Sequence, residues 1–142
     1  VDFDNNPGGG FVSTLINRAR DQQFVLEHFA DPATPFSNIT DTQHAAVVGY
    51  SMGGFGAINT IGGCYGFNAA GLQRLGFPEQ AANAMLPLFN FCNAGKHSVD
   101  ERWKAMVAYA PWGQELGVHK PESLAQISVP SLYIAGENDD IS

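Results

Sequence analysis

Positive charge is scarce in this sequence. Seven Lys and Arg residues stand against 14 Asp and Glu, for a formal charge of −7. The seven are scattered from Arg18 to Lys120 and form no basic patch that would follow a phosphate backbone, which argues against a nucleic acid partner. Long apolar runs are lacking as well: none approaches the ~20 residues needed to cross a bilayer, so no transmembrane segment is expected. Val1-Asp2-Phe3-Asp4 carries neither the basic nor the apolar region of a signal peptide. Cysteine is limited to Cys64 and Cys92, and the four histidines do not cluster at ligand spacing, so no metal site is expected. The two cysteines have two readings that the residues leave open. They form a disulfide, contributing ~3 kcal/mol or more in the chain-entropy model in an oxidising compartment, or they remain two buried thiols. A bridge would favour a secreted or periplasmic setting; nothing else points to a compartment.

What is present is the composition of a globular domain: 44% apolar and 15% charged residues, with 16 glycines that imply many tight turns. A complete domain of 142 residues would bury roughly 70% of its unfolded surface.

The chain is organised around Gly49-Tyr50-Ser51-Met52-Gly53-Gly54. The apolar run Ala45-Ala46-Val47-Val48 precedes it and Phe55-Gly56-Ala57-Ile58 follows, a strand, sharp turn and helix in succession. Glycines two residues to either side of Ser51 permit a strained turn in which side chains at Gly49 or Gly53 would collide with neighbouring backbone. The hydroxyl of Ser51 is then pushed above the sheet edge, where a histidine can take its proton and the Met52 N–H can meet an oxyanion. A phosphate loop would need Lys after the last glycine, and Phe55 stands there; a dinucleotide fingerprint would need Gly at Ser51.

In chain order, Val1 to Asp4 reads as the tail of a strand and Asn5 to Gly10 as a loop. From Ser13 the apolar spacing Leu15, Ala19, Gln22, Val25, Leu26, Phe29 predicts a helix capped by Ser13 or Thr14 and ended at Asp31-Pro32. The strand His44 to Val48 is almost wholly apolar, as for one buried on both faces. Residues 62–98 form an irregular excursion with one or two short helices, a lid over the serine or a plain insertion. Trp103 to Ala110 and Val129 to Gly136 read as two further strands, with a short helix over Pro121 to Ile127 between them. Strands alternating with helices place the chain in the α/β class with a parallel sheet.

The third strand runs into Gly136-Glu137-Asn138-Asp139-Asp140. An acid there shares the carboxyl rim of the sheet with Ser51 and would hold a histidine in the right tautomer. Asp139 is the candidate and Asp140 its reserve.

These two blocks resemble the α/β-hydrolase superfamily, and more narrowly the bacterial esterases similar to dienelactone hydrolase and platelet-activating-factor acetylhydrolase. Arg18 to Leu26 is similar to their helix before the elbow strand, and Ala108 to Gly113 to the end of their strand six. The resemblance implies the central part of a single α/β-hydrolase domain over residues 1–142, from the tail of strand four through strand seven and the acid loop. It implies serine-dependent ester hydrolysis through an acyl-enzyme on Ser51, with Met52 in the oxyanion hole, Gly49 and Gly53 as elbow glycines, Asp139 as the acid and no cofactor. A small-molecule ester is the expected substrate, with Tyr65, Phe67, Phe77, Phe89 and Phe91 as candidate pocket aromatics.

In this fold the chain order is Ser, acid, His. Here His28, His44, His97 and His119 all precede Asp139. The resemblance therefore implies that the N-terminal strands and the segment with the catalytic histidine lie outside these residues, as a missing part of the domain. A peptidase of the same fold and a non-catalytic binding module of that fold are the alternatives.

Overall fold

The computed structural model describes residues 4–92 and 99–140. Three strands, β1 (Ala45–Tyr50), β2 (Trp103–Tyr109) and β3 (Ser131–Ile134), form an open parallel sheet in the order β1-β2-β3. Among the described residues five helices accompany them: α1 (Pro7–Ala30), α2 (Met52–Thr60), α3 (Ala69–Arg74), α4 (Glu79–Met85) and α5 (Pro121–Leu124). The arrangement is α/β: α2 packs on β1 and β2, and α1 packs on α2.

Helix α1 begins earlier than its apolar stripe predicts. The Asn6 side chain accepts the Gly9 N–H at 2.9 Å, and Pro7 occupies the first helical position. This cap and a proline already set to helical φ outweigh the roughly 1 kcal/mol that each glycine costs inside a helix, so Pro7 to Gly10 are helical rather than loop. Ser13 and Thr14 are consequently interior, and the Thr14 hydroxyl donates to the Gly10 carbonyl at 3.0 Å. Asp4 lies in a turn; the rest of the expected strand tail, residues 1–3, is outside the described residues.

Over β1 and β2 the sheet has one covered and one open face, whereas β3 is exposed on both. Val47, Met106 and Ala108 point into a cluster with Ala57 and Ile58 of α2, Ile61 just after it and Leu26 of α1. On the other face Val48 is 63% and Tyr50 74% exposed, with Tyr109, Leu132 and Ile134 exposed beside them. The expectation that β1 is buried on both faces is thus corrected. Its side chains alternate, because among the described residues helices cover only one side.

The excursion after α2 is a stapled unit. Cys64 and Cys92 form a disulfide, which settles the choice between bridge and thiols. Just inside it, Gly66 pairs with Asn90 and the Tyr65 and Phe91 rings stack at 5.6 Å. Helices α3 and α4 lie within the loop thus closed. Tyr65, Phe67 and Phe89, expected among the pocket aromatics, are buried in one cluster with Phe55 and Leu15, whereas Phe77 and Phe91 are partly buried at its margin. They are core because the neck of the excursion packs directly on α2. Residues 93–98 of the excursion, which include His97, lie outside the described residues.

Candidate active site

Ser51 sits between β1 and α2 with φ 51° and ψ −118°. A positive φ is costly for a residue with a side chain, roughly 1–3 kcal/mol, and persists only where neighbours fix it. Gly49 is the first of these neighbours. A Cβ there would lie 2.1 Å from the Gly53 carbonyl oxygen, so the strand and helix approach through a bare α-carbon. Gly53 differs from expectation: a Cβ at that position meets nothing within 4 Å. Gly53 contributes its backbone, the surface that Gly49 packs against, rather than a steric gap of its own. The tight position on the helix side is Gly54, where a Cβ would be 3.0 Å from Pro111.

Three main-chain hydrogen bonds hold the turn. The Ser51 N–H donates to the Tyr109 carbonyl at 3.0 Å, and the Ser51 carbonyl accepts the N–H groups of Phe55 and Trp112, each at 3.0 Å. Although Ser51 occupies the N-cap of α2, its hydroxyl makes no capping bond. A serine at an N-cap ordinarily uses its oxygen there. Here the Ser51 oxygen makes no such bond. Met52 is the first residue of α2, and an N–H of the first helical turn has no partner within its own helix.

Asp139 follows β3, its N–H donating to the Gly136 carbonyl at 3.1 Å in a tight turn. Because all three strands are parallel, Ser51 and Asp139 leave the sheet on the same rim. One strand separates theirs, a lateral spacing of roughly 10 Å. Asp140, the reserve, is exposed.

The histidines divide otherwise. His28 lies near the C-terminus of α1 among Phe24, Phe29 and Phe36, and His44 precedes β1 and bonds Asp41 at 2.8 Å. His44 is therefore at the end of the sheet opposite Ser51. His119 is buried. Its Nε2–H donates to Asn59 Oδ1 at 3.1 Å, and its Nδ1 accepts from Gln114 Nε2 at 2.9 Å. This tautomer follows because the Asn59 amide nitrogen is already committed to the Phe55 carbonyl at 2.9 Å. Burial pushes the His119 pKa down to about 4, so the ring is neutral near pH 7. Both ring nitrogens are used, and His119 has no lone pair left for Ser51.

Two features escaped the sequence reading. The Asn59–His119–Gln114 network announces itself only as the polar pair Asn59-Thr60 at the end of an apolar helix. The bracket that Tyr109 and Trp112 place around Ser51 has no local signal beyond Pro111-Trp112 at a strand end. Two cavities lined by described residues have volumes of about 360 and 350 Å3. The first lies between α1 and the end of α2, near Gln23, Thr60 and Asp100; the second adjoins Pro111 and Tyr133 on the rim. Ser51 lines neither. Among the described residues no group of three or more His, Cys, Asp or Glu is placed to hold a metal ion. No helix of the described residues is long and apolar enough to cross a membrane. Compared with known protein families and with curated proteins, the chain matches none.

Proposed function

We propose that Ser51 is the nucleophile of a carboxylic ester hydrolase with the α/β-hydrolase arrangement. The observation that carries this reading is the strained Ser51 backbone, φ 51°, at a strand-to-helix turn where the hydroxyl is not used as a helix cap. In the reaction, a histidine takes the Oγ proton as Oγ bonds to the ester carbonyl carbon, and the oxyanion is met by the Met52 N–H. The carbon–alkoxide bond then breaks, the alcohol leaving with the proton from the histidine. Water attacks the acyl-enzyme by the same steps in reverse, releasing the acid and restoring Ser51. Asp139 orients the histidine from the same rim. That histidine is none of His28, His44 and His119. The reading assigns it to His97 or to polypeptide beyond these residues, which would also cover the open apolar sheet face. The disulfide supports a secreted or periplasmic setting.

Hydrolysis of p-nitrophenyl esters from acetate to octanoate tests the reading. Turnover that disappears in Ser51→Ala and falls steeply in Asp139→Asn is expected; turnover retained in Ser51→Ala would sink it. A non-catalytic module of the same fold is the second reading, favoured by the occupied nitrogens of His119. It predicts no turnover in either protein.

A further inference from the structure

Among the described residues only two that are not glycine hold a positive φ: Ser51 at 51° and Ala110 at 39°. They stand at the ends of adjacent strands and belong to one hydrogen-bonded unit. Tyr109, just before Ala110, accepts the Ser51 N–H, and Trp112, two residues after it, donates to the Ser51 carbonyl. A chain leaving β2 in an extended conformation would carry residue 112 away from β1. The left-handed bend at Ala110 returns it.

The bend runs against two local preferences. An alanine side chain disfavours positive φ, and the following Pro111 restricts its predecessor to extended conformations. Elsewhere this chain uses glycine for such bends, as at Gly113 with φ 98° three residues on. Surrounding contacts enforce the conformation instead. The Ala110 N–H donates to the Ile134 carbonyl at 2.6 Å, Pro111 packs against Gly54, and the Trp112 ring meets Phe55 and Phe11 edge-on with centroids at 5.7 and 5.4 Å. A strained residue held by its surroundings and coupled to a strained nucleophile points to pre-organisation of that nucleophile.

We infer that Ala110 is a positioning residue: its left-handed bend returns Trp112 to the Ser51 carbonyl, opposite the Tyr109 carbonyl that the β1–β2 pairing already supplies, and so fixes the direction of the Ser51 hydroxyl. This rests on the reading of Ser51 as nucleophile.

The test is time-resolved labelling of the purified protein with a fluorophosphonate, followed by intact mass, for wild type, Ala110→Gly, Ala110→Asn and Ala110→Val. Misplacement of Ser51 slows the rate, whereas loss of folded protein lowers the endpoint. Gly and Asn both accept positive φ, and are expected to label within about twofold of the wild-type rate. Val does not accept it, and is expected to label about 10- to 100-fold more slowly with the same endpoint. Val at the wild-type rate overturns the inference, as does Asn slowed tenfold or more at full endpoint. If Val fails to fold, the Gly and Asn rates decide by the same criteria. A wild-type protein that does not label at Ser51 overturns the nucleophile reading and this inference with it, an outcome distinct from any effect confined to Ala110 variants.

Discussion

At the carboxyl end of the sheet two residues hold unfavourable backbone angles and a serine hydroxyl forgoes the cap it was placed to make. At the amino end, nearly the reverse holds. Arg102 grips Asp100 with its Nε at 2.9 Å from Oδ1 and a terminal nitrogen at 2.5 Å from Oδ2, and also pairs with Glu27. Gln23 donates to the same Asp100 at 2.6 Å and accepts the Trp103 indole N–H at 2.8 Å. This network ties α1 to the start of β2. The Arg102 hydrogen bonds hold the Asp100 carboxyl well below the usual carboxylate range, and Asp100 holds the Arg102 guanidinium above its own. One end of the sheet is relaxed and mutually satisfied, and the other stores strain around Ser51. The contrast teaches where to expect chemistry and where to expect stability.

The sharpest way to break the comparison is Gly49→Ala. The added Cβ would lie 2.1 Å from the Gly53 carbonyl, and helix and strand must separate. We expect a loss of about 3 kcal/mol in urea unfolding and no Ser51 labelling. An alanine variant as stable and reactive as the parent would mean that the elbow is not tightly built.

Replacing both Cys64 and Cys92 by alanine tests the staple, which belongs to neither end. Opening a bridge with sequence separation 28 should cost roughly 3–4 kcal/mol in the chain-entropy model. An unchanged denaturation midpoint would contradict this.

His119 supplies a pH effect of similar ceiling. Its folded pKa, about 4, lies below the unfolded 6.5, so as pH falls the unfolded chain takes the proton first. The stability it contributes is complete above pH 6.5 and is lost progressively toward pH 4, by at most ~3 kcal/mol. His119→Gln should flatten the urea midpoint over that interval, and an unaltered slope would refute the assignment. Asp100, depressed in the folded state, adds acid sensitivity only below about pH 4, as its pKa falls from an ordinary 3.8.

The smallest effect is expected at the relaxed end. Arg102→Ala removes a partly buried pair and should cost about 1 kcal/mol without altering the rate of Ser51 labelling by more than about twofold. A large rate effect there would show the two ends to be coupled and dissolve the distinction drawn here.

The strands, the strand-to-helix turn at Ser51 and the turn after β3 were legible because each is written in consecutive residues: an apolar run, a glycine-serine-glycine stretch, a polar stretch after a strand. The start of α1 was missed because a single side chain, Asn6, and Pro7 overrule three glycines. The open sheet face was missed because Ala45-Ala46-Val47-Val48 reads alike whether one face or two are covered. Gly53 and Gly54 exchanged steric importance because only the position of Pro111, far along the chain, distinguishes them. The same distance in sequence hid the Ala110 bend and the His119 network. Such features depend on which elements meet, and no local pattern records that.

The central claim is that Ser51 is an activated nucleophile. Fluorophosphonate treatment of the purified protein, followed by digestion and mass mapping with Ser51→Ala in parallel, addresses it directly. The account predicts one adduct on the peptide containing Ser51 and none in the variant. An unlabelled protein, or an adduct that survives in Ser51→Ala, would contradict it.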